Sequence, residues 1–299
     1  MSQKKLLIIA NPSSGKAKMR TNLMSVVEIF SNDGYEVTVY PTKERADATK
    51  RAEAVLQDEF DLIVVCGGDG TLNEVITGLM HTGVKCKLGY IPAGTLNEWS
   101  QGLGIARTIT KAAKDIISGE ELTLDIGKFG DKYFSYTASF GAFTSASYTT
   151  PQNVKNVLGQ AAYLFEGMKS LANVKPYHLK FTADDRLIEG DFVFGAVSNS
   201  MSMGGIVKFN ESSVKLNDGL LEVLLFRNPP NIVVFQNMVD GIIKKDFERD
   251  GIEFFHTDKI TVECSENLAW TLDGEFAQGS EKLVISNVHN AITLLVPKK

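Results

Sequence analysis

Four short apolar runs, each closed by a polar or glycine-bearing turn and followed by residues at helical spacing, constrain the first half of this 299-residue chain more than any other feature. Lys5–Asn11 reads as a buried strand. Met19, Leu23, Val26, Val27 and Phe30 then fall on one face of a helix over 17–32, which Gly34 closes. Glu36–Tyr40 is a second strand, with Ala48, Ala52, Val55 and Leu56 marking the helix after it. Asp61–Cys66 is a third, apolar almost throughout, as a strand covered on both faces must be. Leu72, Val75, Ile76, Leu79 and Met80 mark the next helix, and Leu88–Ile91 is a fourth strand, followed by a loop and helical residues to about Gly119. Alternation of this kind points to a parallel sheet with right-handed crossovers.

Beyond about Asp125 the pattern changes to hairpins. Leu122–Phe129 and Lys132–Phe140 read as one hairpin around Gly130-Asp131, and Tyr177–Ala183 and Arg186–Ser198 as another around Asp184-Asp185. Leu220–Phe226, Lys259–Cys264, Leu268–Leu272 and Lys282–Val296 are further strands, interrupted by helices at roughly 152–173 and 230–247. The expected fold is therefore α/β plus β-rich. Residues 1–125 form a parallel-sheet domain and 126–299 an antiparallel, β-sandwich-like domain, with a ligand-binding cleft between them.

Charge and cysteine usage exclude several function classes. Lys and Arg number 31 against 36 Asp and Glu, a net charge of −5, which argues against a nucleic-acid partner. No apolar run approaches the roughly 18–20 residues that span a bilayer. The N-terminal residues lead into only one short apolar run, so no secretory signal is expected. Three cysteines without close pairing and four scattered histidines indicate neither a disulfide framework nor a zinc site. The expectation is a cytoplasmic protein.

The chemistry concentrates in the strand-end turns. The third strand runs into Gly67-Gly68-Asp69-Gly70-Thr71-Leu72-Asn73, where glycines permit a sharp turn and close approach of a ligand, and the following helix N-terminus favours an anion. Asp69 beside an anion makes sense if Mg²⁺ lies between them, or if it tunes a nearby lysine; a tight turn capped by Asp69 or Thr71 is the plainer reading. Asn11-Pro12-Ser13-Ser14-Gly15-Lys16 ends the first strand. It lacks the leading glycine of a Walker A loop, yet Lys16 can reach a phosphate or a carboxylate. Pro92-Ala93-Gly94-Thr95-Leu96-Asn97 ends the fourth strand, and Thr42 follows the second at the equivalent edge. Late in the chain, Asp273-Gly274-Glu275 places two carboxylates two residues apart. On a strand they face one side and suit general-base work, while Asp-Gly is equally a hairpin-turn signal. Asn217-Asp218-Gly219 carries the same ambiguity, between a turn and a Mg²⁺ site of one carboxylate plus carbonyl oxygens.

NPSSGK, GGDGTLNE and PAGTLNE, in this order and spacing, resemble the diacylglycerol kinase catalytic-domain family, in particular its bacterial soluble lipid kinases. Leu124-Asp125-Ile126-Gly127, Phe140-Gly141, Leu216-Asn217-Asp218-Gly219-Leu220 and Asp273-Gly274-Glu275 extend the likeness over nearly the whole chain. The resemblance implies ATP contacts at Asn11, Lys16, Thr42, Gly67, Gly68, Asp69, Gly70, Thr71, Leu72, Asn73 and Thr95. It implies Glu275 as general base with Asp273 beside it, and Asp69 near the Mg²⁺ that arrives with ATP. It implies a structural Mg²⁺ held by Asp218 and the carbonyls of Lys215 and Leu220, and a charged network that includes Lys16 and Asp125. Two departures stand out: Glu98 replaces the family's usual aspartate, and a C-terminal element that packs back on the first domain is expected to be missing.

The function implied is ATP- and Mg²⁺-dependent phosphorylation of a lipid hydroxyl, diacylglycerol to phosphatidic acid first among them. The lipid partner is reached from the cytosolic side by peripheral membrane contact, and a homodimer is compatible. An NAD kinase sharing GGDGT, or a nucleotide-binding protein without catalysis, are the alternatives. The apolar stripe over 152–173 and the segment Ile232–Ile243 with Lys244-Lys245 read as core, or as surfaces meeting lipid.

Overall fold

The computed structural model describes residues 3–94, 97–141, 175–203, 207–209 and 214–298. The chain divides into two compact units, Met1–Ile126 with Asn290–Lys299, and Gly127–His289.

The first unit follows the alternating pattern. Its elements are β1 (Lys4–Ala10), α1 (Lys18–Asn32) after a 3-10 turn at Ser14–Ala17, β2 (Tyr35–Pro41), α2 (Asp47–Glu53), β3 (Leu62–Gly67), α3 (Asp69–Thr82), β4 (Lys87–Pro92), α4 (Glu98–Gly102) and α5 (Ile109–Ser118). The sheet runs β2-β1-β3-β4, all parallel. Every residue of β3 is buried, as are Leu6–Ala10 of β1 and Leu88–Pro92 of β4, so their continuous apolar runs are what helices on both faces require. α2 is shorter than its periodicity suggests. It ends at Glu53, so Val55 is buried beyond its end and Leu56 is 71% exposed.

The second unit is antiparallel. β5 (Glu120–Phe129) enters it and pairs with β6 (Lys132–Phe134). β7 (Thr137–Gly141), β8 (Tyr177–Ala183), β9 (Arg186–Ser198), a small ribbon of β10 (Ser202–Met203) with β11 (Val207–Lys208), and β12 (Leu221–Arg227) follow. After α6 (Ile232–Lys244) come β13 (Ile252–Thr257), β14 (Lys259–Cys264), β15 (Ala269–Leu272), β16 (Glu275–Gln278) and β17 (Lys282–Val296). One face of this sheet buries Phe129, Phe134, Phe140, Phe181, Phe192 and Trp270. The other packs Phe194, Ala196, Leu224 and Phe226 against Met238, Val239 and Ile242 of α6. Asn231 starts α6 by accepting the backbone N–H groups of Val233 and Val234, each at 3.0 Å.

Three expectations need correction. The second arm of the first hairpin is broken: β6 pairs with β5, whereas β7 pairs with β9 and β15, because the backbone N–H groups of residues 135–137 turn to a side chain instead of a ladder. β10, β11, β13 and β16 are absent from the sequence reading. The domain expected over 126–299 also loses its end, since residues 290–299 belong to the first unit and supply the returning element expected to be missing. β17 is one 15-residue run of strand-forming residues. Its partner changes midway. Lys282–Ser286 pair antiparallel with β14, whereas Thr293–Leu295 pair parallel with β4. Between them Asn290 adopts φ 51° and donates its N–H to the Asp125 carboxylate at 2.7 Å. The helix expected at 152–173 lies outside the described residues.

Candidate active site

In the first unit β1 sits between β2 and β3, so the chain leaves it in opposite directions and strand order reverses at the β1/β3 junction. Open α/β sheets bind ligands at the carboxyl ends of strands at such a point. The turns there are stitched together. Asn11 N–H donates to Cys66 O (2.8 Å), Ala93 N–H to Gly67 O (2.7 Å) and Thr42 N–H to Ala10 O (2.8 Å). They also touch. Gly15 has φ +57°, and a Cβ there would fall on the carbonyl oxygen of Ala93; a Cβ on Gly94 would lie 2.7 Å from Gly68 Cα. Glycine at both positions is thus a condition for the three turns to meet.

The turns border a cavity of ≈ 430 Å³, lined by Asn11, Thr42, Gly68, Gly70 and Thr71. Asn11 Nδ2 donates to Thr71 Oγ1 at 3.2 Å, which ties the first turn to the third. α3 begins at Gly68 without a side-chain cap, leaving the positive end of its dipole for an anion. Lys43 and Arg45 also line the cavity. The sequence reading missed both, because an exposed Lys-Glu-Arg turn looks like any solvated loop. Glu74 holds that loop by accepting the N–H groups of Ala46 (2.9 Å) and Ala48 (3.3 Å). Tyr40 O–H and Lys43 N–H bind Asp47, and chiefly the Lys43 N–H keeps that carboxyl below its ordinary range.

Of the remaining expected contacts, Leu72 is buried in the core, so only its backbone is placed to meet a ligand, and Asn73 is half-buried on α3. Lys16 lies in the 3-10 turn Ser14–Ala17. Thr95 lies outside the described residues.

Behind the turns sits Tyr90, a fully buried residue absent from the expected site. Its hydroxyl is 3.4 Å from Gly67 O, 3.4 Å from Asp69 Oδ1 and 3.3 Å from Asn97 Oδ1. Burial first, and then the Asp69 charge, raises the phenol well above its ordinary range, so it stays protonated and donates. Asn97, at φ 50°, clamps Gly94 by accepting its N–H (3.0 Å) and donating to its carbonyl (2.8 Å). Tyr90→Phe removes a hydroxyl that reaches both the third and the fourth turn. The affinity of the cavity for a polyphosphate, read by calorimetry with pyrophosphate, is expected to fall about 3–10-fold, the worth of one hydrogen bond. Unchanged affinity would show that Tyr90 serves packing alone.

Asp69 opens α3 with a half-buried carboxylate, a hard oxygen donor of the kind Mg²⁺ takes. Asp218 is exposed; its Oδ1 accepts Leu220 N–H at 3.1 Å, and Leu220 O accepts Asn287 Nδ2 at 3.1 Å. A carboxylate and carbonyl oxygens are the donor types a hard cation takes, and here Asp218 Oδ1 and Leu220 O each already accept one hydrogen bond. Among the described residues no group of three or more His, Cys, Asp or Glu side chains is arranged to hold a metal ion.

The acidic pair is arranged differently from the expectation. Leu272 pairs with Glu275, and between them Asp273 (φ 48°) and Gly274 (φ 87°) make a two-residue turn with both residues left-handed. The two carboxylates therefore do not share a strand face. Asp273 is buried and accepts three backbone N–H groups, those of Ser135, Tyr136 (3.0 Å) and Thr137 (3.0 Å), while its own N–H donates to Thr137 O at 2.9 Å. It is a positioning residue that anchors the hairpin. Glu275 starts β16 exposed, beside a Gly274 with no neighbouring atom within 4 Å of a Cβ position.

Comparison with known proteins agrees with this organisation. Residues 5–129 match the diacylglycerol kinase catalytic domain, and residues 138–296 match the YegS C-terminal NAD kinase β-sandwich-like domain. A diacylglycerol kinase of Bacillus subtilis strain 168 is 33% identical over 298 residues, covering 99% of this chain and 97% of its own. One of Staphylococcus epidermidis strain ATCC 12228 is 30% identical over 296 residues, covering 99% and 93%. The crystal structure of a diacylglycerol kinase from Bacillus anthracis strain Sterne matches with a TM-score of 0.76 at 25% identity, over 98% of this chain and 97% of that one.

Proposed function

Because the chain belongs to the diacylglycerol kinase catalytic-domain family, we propose that it transfers the terminal phosphoryl group of ATP to the free hydroxyl of diacylglycerol, giving phosphatidic acid and ADP. The observation that carries this reading is the cavity at the β1/β3 junction. There an uncapped helix N-terminus, three interlocked glycine turns and the cations Lys43 and Arg45, beside the carboxylates Glu44 and Glu74, suit a polyphosphate.

Phosphoryl transfer asks a protein mainly to position and to stabilise charge. The turn N–H groups, Lys43 and Arg45 bind and orient the triphosphate. The acceptor oxygen bonds to the γ-phosphorus as the bond to the ADP oxygen breaks, and the hydroxyl proton passes to the Glu275 carboxylate. Mg²⁺, when bound, would neutralise charge on the phosphate oxygens. Asp69 would hold that ion, and Asp218 with the Lys215 and Leu220 carbonyls a second, structural one. Asp125, fully buried, keeps the Asn290 backbone in place. Among the described residues no helix is long and apolar enough to cross a membrane. A diacylglycerol acceptor lies in a bilayer, so on this reading it is met at a membrane surface, on the cytosolic side.

Incubation with γ-labelled ATP, Mg²⁺, diacylglycerol and NAD together tests the reading. Labelled phosphatidic acid is expected. NAD belongs in the assay because the second unit matches an NAD kinase-like domain, and labelled NADP in place of labelled lipid would overturn the assignment. ATP binding with no transfer to either would leave a nucleotide-binding protein.

A further inference from the structure

In the second unit β9, β8, β14 and β17 lie side by side in this order. Leu179 and Phe181 of β8, Val262 of β14 and Leu283 of β17 enter the aromatic core, so the residues between them point to the outer face. On that face Glu189, Lys180, Glu263 and Lys282 stand opposite one another in a single row across the four strands. Their side chains are 35–69% exposed. Lys180 lies 3.5 Å from Glu263, and Lys282 lies 3.0 Å from it. The row therefore alternates in sign from one end to the other.

The next row on the same face is Leu187, Thr182, Thr261 and Val284. It is polar in the middle and aliphatic at both ends, where Leu187 is 62% and Val284 37% exposed.

Both rows are complementary to themselves when reversed. A two-fold axis along the strands, between β8 and β14, lays this face on the same face of a second copy with strands aligned, as stacked sheets pack. Each row then meets its own reverse. Glu189 faces Lys282 of the second copy, and Lys180 faces its Glu263, so all four facing pairs are of opposite sign. Leu187 meets Val284 of the second copy at both ends, which takes both side chains out of water. A two-fold axis across the strands would instead set every charge against its own like. The order of charges thus admits one of the two symmetric arrangements and rejects the other.

We propose that the outer face of β9, β8, β14 and β17 is a homodimer interface with its two-fold axis along the strands. The apolar ends and the stacked sheets supply affinity, while the charge row fixes orientation, since exposed ion pairs add little binding by themselves. The proposal does not rest on the kinase reading, because the cavity at the β1/β3 junction is lined by other residues.

Sedimentation equilibrium of the full chain tests it. The wild type is expected to be a dimer. Lys180→Glu and Glu263→Lys each create two like-charge contacts by symmetry, and each should raise the dimer dissociation constant at least about a hundredfold. Mixed in equal amounts, the two variants should form a dimer of one copy of each, because every facing pair is then of opposite sign. Repulsion within one chain cannot produce that rescue. Leu187→Ser, at an exposed position, should weaken the dimer about tenfold. Pyrophosphate binding should not change in any variant, which reports a folded chain. A monomeric wild type, a dimer that Lys180→Glu leaves as tight as before, or variants that stay monomeric when mixed would each overturn the proposal.

Discussion

Glu275→Gln is expected to slow phosphoryl transfer to lipid by about 10²–10⁴-fold, the usual worth of a positioned general base. Glutamine keeps the shape and the hydrogen-bonding reach of the side chain but cannot take up the acceptor's proton. Glu275 is exposed at the first position of β16, where its backbone pairs with Leu272 whatever the side chain. The substitution should therefore move stability by no more than about 0.5 kcal/mol. ATP affinity should also hold, since the cavity at the β1/β3 junction is built from other residues. Single-turnover transfer from γ-labelled ATP, paired with thermal unfolding, reads both quantities. A variant that transfers at the wild-type rate would remove Glu275 from the chemistry. One that loses activity only because it melts earlier would make it structural.

The parallel half of the fold was legible because its rules are local. A strand such as Leu62–Gly67, buried along its whole length, must be apolar at every position, and the helix after it must show its own period. The rim was legible for a related reason. Gly15 and Gly94 are dictated by close backbone approach, and such a requirement leaves a mark in the sequence. Tyr90 left none, because a tyrosine in an apolar strand looks like core until its hydroxyl is seen between Gly67, Asp69 and Asn97. The same holds for Lys43 and Arg45, whose role depends on where the loop after β2 is held, and that is set by Glu74 on a different helix.

The β-rich half was less legible because its partners are distant in sequence. Lys282–Val296 is recognisable as a strand, but nothing in its alternation announces that Thr293–Leu295 pair with β4 rather than β14. The break between β6 and β7 has its cause 136–138 residues away, in one carboxylate. The Asp-Gly step showed both of its meanings. It is the hairpin turn that the dipeptide suggests, and that turn presents Glu275 at its end.

Asp273→Asn separates these meanings, and its expected signature is the reverse of that for Glu275→Gln. The carboxylate accepts the N–H groups of Ser135, Tyr136 and Thr137 in a buried position. An asparagine side chain offers one acceptor oxygen and turns an NH₂ group toward the remaining donors. At least one buried N–H then loses its partner, and donor faces donor. Hydrogen bonds to a charged group, together with the penalty of a stranded buried donor, put the loss at about 2–4 kcal/mol of folding stability. The backbone does not share the blame. Residue 273 sits at φ 48°, and asparagine accepts the left-handed region as readily as aspartate. Denaturant unfolding should show a lower midpoint with an unchanged slope. Activity assayed well below the new Tm should fall less than in Glu275→Gln, since the proton acceptor proposed above is still present on a hairpin that has lost part of its anchor. If Asp273 were instead the proton acceptor, asparagine would abolish turnover in a protein as stable as the wild type, and the anchoring role drawn from its three N–H contacts would be wrong.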